Sequence, residues 1–199
     1  MTKLLPRCLS FVLLGLVVGC GGGGTAPPEP TASELTEAGW AHFAAGRFQE
    51  AAASFSDAIA VDPAFADAYN GRGWASLRLI RFGEALGAFA AALNLGLGTA
   101  DPLAGRALAL RDLEPVDWAA TGEAAAGALA ADGRYVFSRD PSLDWKDLRL
   151  VLGHALFARG DYAGANEQVR LLGGAPADPA SETFVLDLLR ELERLGTEP

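Results

Sequence analysis

Lysine is almost missing from this 199-residue chain, which has only Lys3 and Lys146. Acidic residues outnumber basic ones, 25 to 16, for a formal net charge of −9. A nucleic-acid binder normally carries a basic footprint, so that class is excluded. The histidines are two, His42 and His154, on separate stretches without a nearby cysteine, and no metal site is expected. Two cysteines in so long a chain exclude a disulfide-stapled miniprotein. There is no Gly-rich phosphate loop with its lysine, no dinucleotide fingerprint, no His-x-x-x-His pair and no nucleophile elbow. No catalytic residue and no enzyme activity are therefore expected. What the chain does have is apolar residues, 50% of the total, enough to build a core. Its length suits one domain, or two small ones.

The first nineteen residues read as an address. Lys3 and Arg7 precede Leu9 to Val18, a nearly apolar run without charge. That run is shorter than the roughly 20 residues that span a bilayer and fits a secretory signal. Val17-Val18-Gly19-Cys20 resembles the lipobox of bacterial lipoproteins. The resemblance implies cleavage after Gly19 and a covalent lipid on Cys20, the one attached group expected. The alternative is an ordinary signal peptide with a chance cysteine. Cleavage would leave 16 − 2 = 14 basic residues against 25 acidic ones, a net charge of −11. Residues 20–31, with four glycines and three prolines, read as the acylated cysteine and a tether. The location implied is the bacterial cell envelope, lipid-anchored, with the body facing the periplasm or exterior. Gly21 stands where an aspartate would favour the inner membrane, which points to the outer membrane if there is one.

Residues 32–199 carry an internal offset of 34. It pairs Gly39 with Gly73, Trp40 with Trp74, Phe48 with Phe82, Ala51 with Ala85, Phe55 with Phe89 and Ala58 with Ala92. Pattern and period resemble the tetratricopeptide repeat, a helix–turn–helix unit. The resemblance implies an all-α solenoid with repeats over 32–63, 66–95, 101–131 (degenerate) and 146–172. Gly39, Gly73, Gly105 and Gly153 are read as close approaches of paired helices. Phe55 and Phe89 are read as filling the space between repeats. Ile80 stands where the turn glycine is usual. Asp62-Pro63 is expected to open the second repeat. Asp178-Pro179 is expected to start a capping helix over 179–195, with Phe184, Val185, Leu188, Leu189, Leu192 and Leu195 inward.

The same resemblance implies a concave groove lined by the first helix of each repeat. Its candidate partner-binding residues are Trp40, Phe43, Asn70, Trp74, Leu77, Arg78, Arg106, His154 and Phe157. Aromatic and arginine anchors are common hot spots. Scarce lysine argues against a clamp for a C-terminal carboxylate and for an extended peptide or an apolar protein surface. Trp40 and Trp74 could instead pack on each other or on the tether. The connection 132–144 is long for a helix–helix join. Its Arg134, Tyr135, Phe137 and Arg139 either meet a partner, plug the groove from within, or form a packed loop. The reading is a lipid-anchored scaffold with a protein or peptide partner. The alternative is a fixed accessory subunit of an envelope assembly, secretion or cell-wall machine.

Overall fold

The computed structural model describes residues 28–197. The leader, Cys20 and most of the tether lie outside them, and so does the expected lipid site. Among the described residues there are nine α-helices and no strand, apart from one bridge between Val136 and Asp144. The helices are α1 (Ala32–Ala44), α2 (Phe48–Val61), α3 (Ala66–Arg78), α4 (Phe82–Asn94), α5 (Ala100–Asp112), α6 (Trp118–Ala131), α7 (Trp145–Ala158), α8 (Tyr162–Leu171) and α9 (Phe184–Leu195). None of them is long and apolar enough to cross a membrane.

Each helix packs on the next. The odd-numbered helices α1, α3, α5, α7 and α9 also touch in succession, whereas no two even-numbered helices do. That contact pattern defines a solenoid with the odd helices as its inner layer, and α9 closes the series. Local chemistry sets several starts. Thr31 and Glu34 form a capping box before α1, and Asp144 and Asp147 form another before α7. Asp117 and Asp161 cap α6 and α8 through their carboxylates.

The 34-residue offset becomes physical at two phenylalanines. Phe55 of α2 is fully buried between Gly39 of α1 and Gly71 of α3. A Cβ at those glycines would stand 2.6 and 2.3 Å from its ring. Phe89 of α4 sits likewise between Gly73 of α3 and Gly105 of α5, where the distances would be 2.6 and 2.2 Å. Each ring thus locks its own hairpin to the following one. The third hairpin lacks such a ring and closes on Ala124, Ala125 and Ala128, with Ala155 of α7 approaching Gly122. Small-on-small packing explains why its sequence departs from the pattern. In the fourth, Val169 takes the inner place, and Leu192 of α9 lies against Gly153.

Four sequence expectations are corrected. Gly105 corresponds to Gly71, not to Gly73, because it meets the preceding hairpin's ring from the following helix. Pro63 lies in a turn rather than in α3; the Asp62 carboxylate accepts the Ala64 N–H at 2.9 Å and closes that turn before the helix starts. The capping helix starts at Phe184, not 179. Asp178 spends its carboxylate on the Ala180 N–H, and Ser181 accepts the Thr183 N–H, so side chains compete with the helical pattern there. Val185 is exposed; Leu188 and Leu192 carry the buried face.

Ile80 occupies its turn at φ 60°, where the equivalent turns hold Gly46 and Gly160. It is 75% exposed, so burial returns nothing for that backbone. Left-handed backbone costs an L-residue about 1–2 kcal/mol. A glycine costs about 0.4–1 kcal/mol in unfolded-chain entropy. Ile80→Gly is therefore expected to stabilise the chain by about 1 kcal/mol, raising Tm by about 2–4 °C in a melt followed by circular dichroism.

One carboxylate ties the cap to the loop before it. Glu191 accepts hydrogen bonds from Arg194 and from the Ala175 N–H. The Arg194 guanidinium first, then that N–H, hold its carboxyl at about 2, against an ordinary 4.5. A lowered carboxyl stabilises fully above its unfolded value and loses that contribution as pH falls through its folded one. The window here runs from about 4.5 down to about 2. Between pH 6 and pH 2 the Tm of the wild type should fall further than that of Glu191→Gln, the two converging at the acid end.

Candidate functional site

The concave face is built from three inner helices. On α3, Asp67, Asn70, Trp74, Leu77 and Arg78 recur at helical spacing along one side. Trp40 and Phe43 of α1 flank them, as do Asp101 and Leu108 of α5. Seated on this face is the chain's own segment Tyr135–Asp140. Tyr135 and Phe137 are buried, while Val136, Ser138 and Arg139 are exposed. The alternation covers Tyr135 to Phe137; beyond it the Asp140 N–H donates to Phe137 O at 3.0 Å and closes a turn through Ser138 and Arg139.

Five contacts hold the segment. The Phe137 ring, 1% exposed, stacks on Trp74 with centroids 4.0 Å apart and planes at 19°. Trp40 and Phe43 meet it edge-on at 6.3 and 6.0 Å. Arg139 lies over the Trp40 ring at 4.9 Å. Asp140 accepts a hydrogen bond from Arg78 at 2.8 Å, and Arg78 also covers the Phe48 ring at 4.9 Å. The Ser142 hydroxyl first, together with Arg78, keeps Asp140 below the usual carboxylate range. The Phe137 N–H donates to Leu143 O, which folds the segment back at its end.

The polar floor is less well matched. Trp40 Nε1 donates to Asp67 at 3.0 Å. Trp74 Nε1, the Tyr135 hydroxyl and Asn70 Oδ1 are buried, yet none has a hydrogen-bond partner of good geometry among the described residues. Tyr135 lies beside Asp101, and burial first, then that carboxylate, push its phenol far above the ordinary range. Burial raises Asp101 itself, opposed by Tyr135, Asn70 and Arg139. A buried polar atom without a partner costs about 1–3 kcal/mol. An apolar cleft of about 140 Å³ remains beside the segment, between Phe43, Leu77, Leu108 and Leu143.

Of the expected groove residues, the structure brings together Trp40, Phe43, Asn70, Trp74, Leu77 and Arg78. As exposed anchors the two tryptophans are corrected: they are 4% and 2% exposed, because Phe137 covers them. They do not stack on each other. His154 and Phe157 are not part of this cluster. Phe157 packs edge-on against Tyr162, which meets Phe184 under the cap. His154 is half-buried on α7, its Nδ1–H donating to Leu150 O at 3.0 Å, and burial lowers its pKa. Arg106, half-buried on α5, is expected in the groove by way of Gly105, but in the observed register it stands thirty-four residues beyond Arg72 rather than Trp74. Thirty-four residues beyond Trp74 stands Leu108, which lines the cleft. Of the connection, Tyr135, Phe137 and Arg139 face the inner helices, while exposed Arg134 lies near Trp145 and Arg149 instead. Sequence reasoning missed Asp67 and Asp101, although they too are 34 apart. Among the described residues no group of three or more His, Cys, Asp or Glu could hold a metal ion.

Residues 36–104 match the family model described as tetratricopeptide repeat. No curated protein matches the chain. Among solved structures, the chain is similar to YrrB, described as a TPR protein with an unusual peptide-binding site, at 15% identity and TM-score 0.60, covering 82% of this chain and 86% of that one. It is similar to MamA of Desulfovibrio magneticus RS-1 at 19% identity and TM-score 0.58, covering 80% and 76%. It also resembles the first TPR domain of human RPAP3, at 21% identity and TM-score 0.55, covering 66% and 96%. With the serial helix contacts, these likenesses establish the fold as an all-α solenoid of tetratricopeptide type.

Proposed function

We propose that the chain is a non-catalytic, lipid-anchored scaffold of the bacterial cell envelope, holding a protein or peptide partner on the concave face of its solenoid. The observation that carries the binding part is the seat itself. An aromatic stack, a cation–ring contact and an ion pair already hold a short segment of chain there. Those are the contacts by which grooves recognise peptides. The anchor rests on the lipobox-like Val17–Cys20 and the tether behind it. In this reading Cys20 carries the lipid, in the outer membrane if there is one.

The second reading, a fixed accessory subunit, draws on the closure of that face by the chain's own loop. Affinity purification of the full chain from solubilised membranes separates the two. Several substoichiometric clients support the scaffold; one stoichiometric complex supports the subunit. A mature N-terminus carrying diacylglycerol mass at Cys20 supports the anchor, and an unmodified cysteine removes it. Substrate turnover by the purified chain would contradict a non-catalytic role.

A further inference from the structure

We propose that residues 135–140 are a built-in pseudo-ligand, and that the groove's partner is a peptide segment of the same chemistry that makes the same turn: aromatic, any, aromatic, any, cation, anion. The partner binds by displacing this segment. The inference rests on the concave face being the binding face. It adds what the partner looks like and what keeps the face closed.

Three observations carry it. First, Tyr135 and Phe137 face inward with Val136 outward between them, and a turn closed by the Asp140 N–H on Phe137 O brings Arg139 over Trp40 and Asp140 to Arg78. Second, the seat has a chemical polarity: aromatic Trp40 and Trp74 in the middle, Asp67 and Asp101 on one side, Arg78 on another. A peptide with an aromatic, a cation and an anion in that order satisfies all of these. Third, the resident segment fits imperfectly. Two buried polar atoms of the seat, Trp74 Nε1 and Asn70 Oδ1, lack hydrogen-bond partners among the described residues. Its ion pair is also half exposed, 46% at Arg78 and 29% at Asp140. Such pairs contribute little. The segment holds its place mainly by being attached, since a tethered ligand acts at high effective concentration. A free peptide of the same sequence, present in excess, competes for the seat, and one that also supplies an acceptor to the Trp74 indole binds tighter still.

The test uses the full chain in detergent and the fluorescent peptide Gly-Arg-Tyr-Val-Phe-Ser-Arg-Asp-Pro-Ser, the sequence of residues 133–142. The Asp140→Ala chain deprives the resident segment of its ion pair and of the turn that the Asp140 carboxylate closes on the Ser142 N–H and hydroxyl, but leaves Arg78 for the peptide. The peptide should bind this variant at least fivefold tighter than wild type. A Phe137→Ala chain should show a larger gain; should it fail to fold, Asp140→Ala decides alone. A peptide with alanine for phenylalanine should lose at least tenfold. Saturating peptide should speed amide exchange over 134–143 in the wild type and leave α1–α6 protected. Equal affinity for wild type and Asp140→Ala, or no loss with the alanine peptide, overturns the proposal. Should the peptide fail while the full chain still recovers partners from membranes, only the pseudo-ligand falls. Recovery of no partner, even by the Asp140→Ala chain, would remove the scaffold reading itself.

Discussion

Gly105→Ala is expected to destabilise the chain by about 3 kcal/mol or more, at the upper end of what overpacking costs. The new methyl group would stand 2.2 Å from Phe89 Cζ. The ring has no retreat, because Gly73 faces it from the other side and Phe89 is fully buried. Helix propensity works in the opposite direction, since alanine in a helix interior gains about 1 kcal/mol over glycine. The steric term is the larger, so the net sign is a loss. Gly87 provides the control on α4, where an added Cβ meets nothing within 4 Å. Gly87→Ala should keep the propensity gain and stabilise by up to about 1 kcal/mol. Urea unfolding of the two variants gives opposite signs. Gly71→Ala, at 2.3 Å from Phe55, should behave as Gly105→Ala does.

Trp74→Ala carries the other large effect. A freely exposed tryptophan could be truncated without harm to the helices. Here the ring packs edge-on against Phe89 at 5.6 Å and flat against Phe137. It therefore joins the lock between the second and third hairpins to the groove segment. Its loss should cost about 3–5 kcal/mol, the range for a buried aromatic. Phe137→Ala removes the same stack from the loop side. Because Phe137 belongs to no helix, that variant should keep its far-ultraviolet spectrum at room temperature. It should also shift tryptophan emission to the red as Trp40 and Trp74 meet water. Urea titration followed by circular dichroism, alongside fluorescence, separates the two outcomes. A red shift without helix loss for Trp74→Ala would show that the residue is no part of the lock.

The repeat was legible because its markers are chemically unusual: paired glycines and phenylalanines at one offset, where only bare backbone accommodates a ring. The register of the third repeat was not. Gly71 and Gly73 both face a phenylalanine, one in the preceding helix and one in the following, and a lone Gly105 matches either. Choosing Gly73 moved the groove position to Arg106 and hid Leu108. The capping boxes at Thr31 and Asp144 rest on contacts three residues apart and can be read locally. Asp178 illustrates the limit: its residue type suits a helix start or a turn, and the neighbouring Ser181 and Thr183 tip it to the turn. The groove's occupant was visible as alternating Tyr135 and Phe137, but not its address. That depends on Phe137 meeting a tryptophan 63 residues earlier, which no local pattern encodes. Asp67 and Asp101 passed unnoticed because an acidic residue near a helix start is ordinary dipole chemistry.

Nuclear Overhauser contacts in the full chain test the account most directly. Phe137 ring protons should show strong contacts to the Trp74 indole and weaker ones to Trp40, alongside contacts between Phe55 and the Gly39 and Gly71 α-protons. Phe55–Gly71 contacts without any from Phe137 to Trp74 would leave the solenoid intact and contradict a groove filled by its own chain.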